Sequence, residues 1–142
     1  MIGILLITHN GLGDSMMDCV RHVIGTVPPN LKAMAVLAND DPQLKADEAR
    51  ALIAQLDTGD GVLLLSDLFG ATPCNIVQRL CQPGRIEGLC GVNMAMLLRA
   101  VCSTSGSLSE VARKALEGGR ECMVALNSES GSCNVATRCA DN

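Results

Sequence analysis

Short apolar runs alternate along this chain with longer segments in which apolar residues recur every three or four positions. The runs lie at residues 2–7, 31–37, 61–66 and 85–90, and each predicts a strand buried on both faces, because such strands are continuously hydrophobic. A segment with helical spacing follows every run. This alternation predicts an open, doubly wound α/β fold with a mostly parallel sheet in the order 2-1-3-4 and helices on both faces.

Polar residues and prolines mark where the helices begin. Asp14 is a good N-cap for the first helix, and the polar loop 39–42 gives the second helix both a cap and a first-turn proline. Thr72 followed by Pro73 predicts the start of the third helix, and Ser107 predicts the start of the last one.

The carboxyl-terminal part of the chain differs in character. Residues 121–126 predict a last, short strand. The residues after it are rich in Ser, Asn and small side chains, which offer little that could form a core. We therefore expect one folded domain over residues 1–126 and a mobile polar tail over residues 127–142.

Composition narrows the classes of function. Among 142 residues there is one Phe and no Trp or Tyr, so stacking of bases or sugars on aromatic side chains is excluded as the main binding mode. The net charge of −4 comes without a strong run of either sign, which argues against binding to nucleic acid or to an anionic membrane surface. The expected partners are proteins or small molecules.

The eight cysteines are scattered without a C-x-x-C pair, which is not the spacing of a structural zinc site. Several lie in apolar runs, so we expect free thiols that pack as small hydrophobic side chains. The first apolar run has no basic residue before it and is too short for a signal-peptide core or a membrane span. These features predict a reduced, cytoplasmic protein.

Two strand ends carry the candidate chemistry. His9 lies two residues after the first run, and Asp67 directly follows the third. In a sheet whose order begins 2-1-3, the first and third strands are neighbours and a crevice opens beyond their carboxyl ends, so these two side chains would face each other. A carboxylate on one ring nitrogen fixes the tautomer and leaves the other nitrogen free to attack. His9 is therefore the predicted nucleophile and Asp67 its orienting partner.

Two predicted helix starts, at Asp14 and at Thr72, point into the same crevice. Unpaired backbone N–H groups and the positive helix ends would hold an anion there, most naturally phosphate, and the Thr72 hydroxyl would add a hydrogen bond. The structural alternatives are a hydrogen-bonded structural histidine at His9 and a turn- or helix-capping aspartate at Asp67. His22, within the first predicted helix, is interpreted as a surface or partly buried residue.

Four motifs together resemble one family, and the second of them is the specific one. The sequence reads I-T-H near the start, L-L-L-S-D-L-F-G-A-T-P-C-N at the third strand, G-V-N-M-A-M-L after the fourth and G-G-R-E-C-M-V-A-L near the end. Over residues 2–126, the chain resembles the IIA component of the mannose-type (mannose/fructose/sorbose) phosphoenolpyruvate-dependent sugar phosphotransferase system.

The resemblance implies a bacterial phosphoryl carrier in which His9 accepts a phosphoryl group from the protein HPr and passes it to a IIB component during sugar uptake. It implies that Asp67 hydrogen-bonds to His9 and that Thr72 matches a hydroxyl residue of the family's site. It also implies a homodimer in which the strand 121–126 is exchanged, antiparallel, with the partner's sheet. Association with a membrane transporter would then occur only through IIB, IIC and IID components. No cofactor and no metal are expected, since transfer between protein side chains needs positioning and charge stabilisation.

Two positions depart from the family pattern. The family usually has Gly directly after the histidine, where this chain has Asn10, and Ala95 stands where Pro is frequent. Neither change removes a group that does chemistry, so phosphorylation of His9 is expected to survive.

Two other functions stay open from the sequence. The first is a stand-alone regulatory module that binds partner proteins according to its phosphorylation state, without sugar transport. The second is a receiver-like domain phosphorylated on Asp67, which is disfavoured because His9 and Asn10 stand where a receiver needs an acidic pair for Mg²⁺.

Overall fold

The computed structural model describes residues 1–103 and 105–127. Its four strands are β1 (Gly3–His9), β2 (Leu31–Val36), β3 (Val62–Ser66) and β4 (Ile86–Cys90). All neighbouring pairs are parallel, and the strand order is β2-β1-β3-β4. The predicted fold class and strand order are confirmed.

Five helices cover the two faces of the sheet in the described residues, namely α1 (Leu12–Ile24), α2 (Pro42–Leu56), α3 (Thr72–Leu80), α4 (Met94–Cys102) and α5 (Leu108–Glu121). Helices α1, α4 and α5 pack on one face, and α2 and α3 pack on the other. None of these helices is both long and apolar enough to cross a membrane.

Strand β1 shows why its sequence is continuously hydrophobic. Ile4 and Leu6 enter the core under α1, whereas Leu5 and Ile7 enter the core under α2 and α3. All four are at most 1% exposed. Burying each such side chain contributes about 1.5–3 kcal/mol, so both faces of the central strand stabilise the fold.

The first helix begins three residues earlier than predicted. Helix α1 begins at Leu12 with Gly11 as its N-cap, so Asp14 lies inside the first turn. The chain reverses immediately after β1, and the helix begins as soon as that turn is complete. The Asp14 carboxylate still complements the positive end of the helix, although it does not cap it.

The predicted last strand is not a strand in this single chain. Helix α5 continues through Glu121, and residues 122–127 pair with no strand among the described residues. The side chains of Met123, Val124 and Leu126 are exposed, and no strand within residues 1–103 and 105–127 lies beside them. Exchange of this segment with a second copy stays a prediction, and the predicted tail after Asn127 lies outside the described residues.

The expectation of free thiols holds for four described cysteines and is wrong for two. Cys19, Cys74, Cys81 and Cys90 are free. Cys102 and Cys122 are disulfide-bonded. These two lie at the carboxyl ends of α4 and α5, where a side chain is only partly enclosed by the core.

Candidate functional site

The carboxyl ends of β1 and β3 bring His9 and Asp67 together. The two strands are adjacent, with Ile7 opposite Ser66 in the register. The His9 Nδ1 lies 2.8 Å from Asp67 Oδ2. The backbone N–H of His9 donates to the same oxygen at 3.1 Å, and the backbone N–H of Leu68 donates to Oδ1 at 3.0 Å. Both carboxylate oxygens are therefore held, and the imidazole is tied to the carboxylate beside it.

The protonation state of the pair follows from these contacts. Partial burial acts to raise the pKa of Asp67, but hydrogen bonds from the side chain and backbone of His9 outweigh it, so the pKa lies below its ordinary value. An ionised carboxylate only accepts hydrogen bonds, which requires the proton of the neutral imidazole to be on Nδ1. Nε2 then carries no proton, and its lone pair is available to act as a nucleophile. The His9 side chain is 44% exposed and that of Asp67 only 12%, so an incoming group reaches the ring and not the carboxylate.

The residues on either side of His9 shape the turn into α1. Thr8 is buried, and its Oγ1 accepts the backbone N–H of Gly13 at 2.9 Å, which ties the helix to the strand end. Asn10 has a φ of 48°, in the left-handed region that Asn tolerates better than most side chains do. This conformation accounts for Asn10 at the position where the family usually has Gly. Sequence reasoning missed both roles, although Asn directly before Gly is a recognised signal for a turn.

The other departure has an equally local explanation. Ala95 is the second residue of α4, behind the N-cap Asn93. Proline is favoured in the first turn because its missing N–H has no intrahelical partner there, so Ala95 replaces it without loss of a hydrogen bond.

Two helix starts beside the pair keep unpaired backbone donors. In α1, the N–H groups of Leu12 and Asp14 have no hydrogen-bond partner among the described residues, and in α3 the same holds for Thr72 and Cys74. Thr72 is the first residue of α3, as its sequence predicts, and its side chain is exposed. Its hydroxyl makes no hydrogen bond within the part of the chain that the structure describes. Donors of this kind at the positive end of a helix bind anions.

Exposed apolar side chains follow the carboxyl ends of three strands. We call this set the apolar rim, and its members are 44–75% exposed: Leu12 after β1, Leu37 after β2, and Leu68 and Phe69 after β3. Large apolar side chains in contact with water at one end of a sheet are typical of a surface that another protein covers.

The fold and these contacts define a class. This is an open parallel α/β protein with a carboxylate-oriented histidine at the point where the strand order reverses. The model of the family described as "PTS system fructose IIA component" matches residues 3–116. The chain belongs to this mannose-type IIA family of the sugar phosphotransferase system.

Related proteins agree with that assignment. The chain is 27% identical over 131 residues to the mannose-specific EIIAB component of Escherichia coli strain K12. The match covers 90% of this chain and 40% of that protein, so the chain spans well under half the length of the curated relatives it matches.

Two solved structures have the same fold. The mannose/sorbose-specific IIA subunit from Enterococcus faecalis superposes with a TM-score of 0.80 at 19% identity and covers 92% of this chain and 98% of that one. The phosphotransferase system component EIIA from Streptococcus agalactiae gives 0.79 at 22% identity, with coverages of 88% and 97%. The family resemblance predicted from the motifs is confirmed.

Proposed function

We propose that this protein is a phosphoryl carrier in which His9 accepts a phosphoryl group from phospho-HPr and passes it to a IIB component in sugar uptake. The observation that carries the proposal is the 2.8 Å contact between His9 Nδ1 and Asp67 Oδ2. This contact commits Nδ1 as a donor and leaves Nε2 as the nucleophile, in a member of the IIA family.

In the proposed first step, the Nε2 lone pair attacks the phosphorus of the donor's phosphohistidine. The P–N bond of the donor breaks, and its electron pair returns to the donor ring. The positive charge that develops on the His9 ring is stabilised by the Asp67 carboxylate through Nδ1–H. Because Asp67 contacts the nitrogen that is not phosphorylated, its charge stays on the far side of the ring from the phosphoryl group. The second step reverses this chemistry toward a nucleophile of the acceptor.

The starts of α1 and α3 offer hydrogen-bond donors for the phosphoryl oxygens. The free N–H groups of Thr72 and Cys74 in α3, together with those of Leu12 and Asp14 in α1, would donate to an oxyanion near His9. The exposed Thr72 hydroxyl would add one more donor. Such donors stabilise charge without further reorganisation, since the backbone already holds them in position.

Donor and acceptor in this proposal are proteins, and the apolar rim offers them a surface around His9. A homodimer that exchanges residues 121–126 is supported by the exposure of Met123, Val124 and Leu126 in the single chain. We propose that residues 1–126 form the working domain, that it acts in the cytoplasm, and that it reaches a membrane transporter only through IIB.

The test is phosphorylation by purified components. The protein is incubated with phosphoenolpyruvate, enzyme I and HPr, and intact mass is measured for wild type, His9→Ala and His22→Ala. The last variant is the matched control, because the chain has only two histidines and His22 is exposed on α1. We expect one phosphoryl group on wild type and on His22→Ala, and none on His9→Ala. Equal labelling of His9→Ala would refute the assignment, and adding a IIB protein then tests onward transfer.

A further inference from the structure

Two free thiols lie directly behind the site and take no part in the chemistry proposed above. Cys90 is the last residue of β4 and is paired in the register with Ser66, the residue before Asp67. Cys74 lies in the first turn of α3 and is 3% exposed. Helix α3 lies directly over β4, because a Cβ on Gly88 would meet the side chains of Val77 and Cys81. Cys74, one turn before Val77, therefore lies over Cys90, two residues after Gly88 on the same side of the strand. The pair thus connects the helix start beside His9 with the edge strand of the sheet.

A buried hydroxyl lies beside the two thiols. Ser66 is fully buried on the same side of the sheet, and its Oγ has no hydrogen-bond partner among the described residues. A third thiol on α3, Cys81, is instead engaged, because its Sγ donates to the Val77 carbonyl oxygen at 3.2 Å. The Cys74 thiol also helps to raise the pKa of Cys81, so Cys81 is the described free cysteine that would compete with Cys90 for Cys74.

We propose that Cys74 and Cys90 are a modification site at which a low-molecular-weight disulfide forms a reversible bond between them, and that this bond slows phosphoryl transfer to His9. The thiolate of the partly exposed Cys90 attacks one sulfur of the disulfide reagent and releases the other sulfur as a thiolate. The thiolate of Cys74 then attacks Cys90 Sγ, which releases the second reagent thiolate. Two protein thiols are oxidised, one disulfide is reduced to two thiols, and the two protein protons pass to the released thiolates.

A disulfide between Cys74 and Cys90 would affect phosphoryl transfer to His9 by shifting the start of α3. A disulfide holds its two sulfurs well within their contact distance, and its formation would draw the start of α3 toward β4. Cys74 is two residues from Thr72, and the free N–H groups of both belong to the proposed phosphate site. A shift of this helix start misplaces those donors. This second half of the proposal rests on the proposed function, whereas disulfide formation itself does not.

The groups around Cys90 set the conditions for the exchange. Burial, the Cys74 thiol and the Asp67 carboxylate raise the pKa of Cys90 to about 11, and the backbone N–H of Gly91 opposes them. The thiol is protonated at neutral pH, and the reactive thiolate becomes more abundant as the pH rises. We therefore expect slow oxidation at neutral pH and faster oxidation in alkaline buffer.

Peptide mapping tests the bond itself. The full chain is treated with oxidised glutathione at alkaline pH, remaining thiols are alkylated, and the protein is digested with trypsin. Cleavage after Arg50, Arg79, Arg85 and Arg99 places Cys74 on peptide 51–79, Cys81 on peptide 80–85 and Cys90 on peptide 86–99. We expect peptides 51–79 and 86–99 to be cross-linked in wild type and in the control Cys81→Ser, but not in Cys74→Ser. Glutathione that stays on Cys90, or a cross-link to peptide 80–85 instead, would overturn the proposal.

Phosphorylation rates test its consequence. Reduced wild type, oxidised wild type and Cys90→Ser treated with the same reagent are compared with phospho-HPr as donor. We expect oxidation to slow wild type roughly ten- to a hundredfold, to leave the rate of Cys90→Ser as it was before treatment, and to be reversed in wild type by a dithiol reductant. If the cross-linked protein is phosphorylated at the same rate as the reduced protein, the disulfide does not regulate phosphoryl transfer. If reduced protein is never phosphorylated, the proposed function fails, while the peptide map still decides whether the bond forms.

Discussion

The helices of this protein begin in two different ways. Helices α2, α4 and α5 each have a side-chain cap, in which Asp41, Asn93 and Ser107 accept the backbone N–H of Gln43, Met96 and Glu110. Helices α1 and α3, which begin beside His9 and Asp67, follow Gly11 and Ala71, and neither of these residues caps the helix with its side chain.

The difference is not imposed by the backbone at α3. Ala71 has an extended conformation like that of the three capping residues, with φ −89° and ψ 169°, so a capping side chain would fit there. A cap is worth about 0.5–2 kcal/mol, and the fold forgoes it next to the histidine. Uncapped donors at a helix start are available to a ligand, whereas capped donors are not. The contrast separates helix starts that stabilise the fold from those that serve the proposed site.

We expect Asp67→Asn to have the largest effect on the rate of phosphorylation. The neutral amide cannot stabilise positive charge on the His9 ring, and its NH₂ group would oppose the N–H donors that Asp67 now accepts. We expect the rate of phosphorylation by phospho-HPr to fall roughly 10²–10⁴-fold while the protein stays folded. Asp14→Asn is the matched control, because it removes an exposed carboxylate from the start of α1 without touching His9. An equal loss in both variants would show that charge near the site matters more than orientation.

The same variant gives a pH test. The pKa of Asp67 is lowered in the folded protein, so the stability contributed by its carboxylate is present above the unfolded pKa and is lost as the pH falls through the folded pKa. The difference in unfolding free energy between wild type and Asp67→Asn should therefore persist at neutral pH and shrink only in strongly acidic buffer. Denaturant titrations at several pH values measure it.

A second, smaller effect is expected from Ala71→Asp, which gives α3 the cap that it lacks. The new carboxylate should raise the free energy of unfolding by about 1 kcal/mol. It should also slow phosphorylation roughly tenfold, because it occupies N–H donors and repels the phosphoryl group. Stability rises while function falls, a combination that a merely disruptive change does not produce.

Ala71→Ser separates the two causes in that variant. A serine hydroxyl caps the helix without adding charge, so it should stabilise the protein similarly and slow transfer less. If neither variant slowed transfer, the start of α3 would have no part in holding the phosphoryl group, and the contrast between the helix starts would lose its functional meaning.

Much of this arrangement could be predicted from the sequence, for physical reasons. The strand order and the meeting of His9 with Asp67 follow from continuous apolar runs and from the geometry of parallel sheets. The cap at Ser107 followed from residue preference, but the same preference wrongly favoured Asp14, since side-chain rules overlook a helix start at which glycine has no side chain to offer. Five of the six residues at 121–126 are apolar, which favours a strand, yet a strand needs a neighbour, and no strand of the described residues lies beside them.

Other features depend on contacts that no local pattern encodes. Cys74 and Cys90 are far apart in sequence and meet only because α3 packs beside β4. The disulfide bonds of Cys102 and Cys122 have no spacing signature either. The turn at Asn10 could be predicted only in part, because Asn favours a left-handed conformation more than most residues do but also adopts others.

That turn supplies the third prediction. A β-branched side chain is strained in the left-handed region, so Asn10→Val should lower the free energy of unfolding by about 1–2 kcal/mol. Asn10→Gly relieves the strain and restores the residue usual in the family, so it should leave stability and transfer nearly unchanged. Chemical denaturation of both variants measures the effect, and equal stabilities would show that the turn adapts to either side chain.

The smallest effect is expected at a capped helix far along the chain from His9. Ser107→Ala removes the hydroxyl that accepts the Glu110 N–H at 3.2 Å, and should lower the free energy of unfolding by about 1 kcal/mol. The rate of phosphoryl transfer should not change, because the start of α5 serves the fold alone. A slower rate at full folding would show that capped and uncapped helix starts are coupled. Ser107→Ala should therefore lower the free energy of unfolding without changing the rate of phosphoryl transfer. Ala71→Asp, measured in the same assays, should raise the free energy of unfolding and lower the rate.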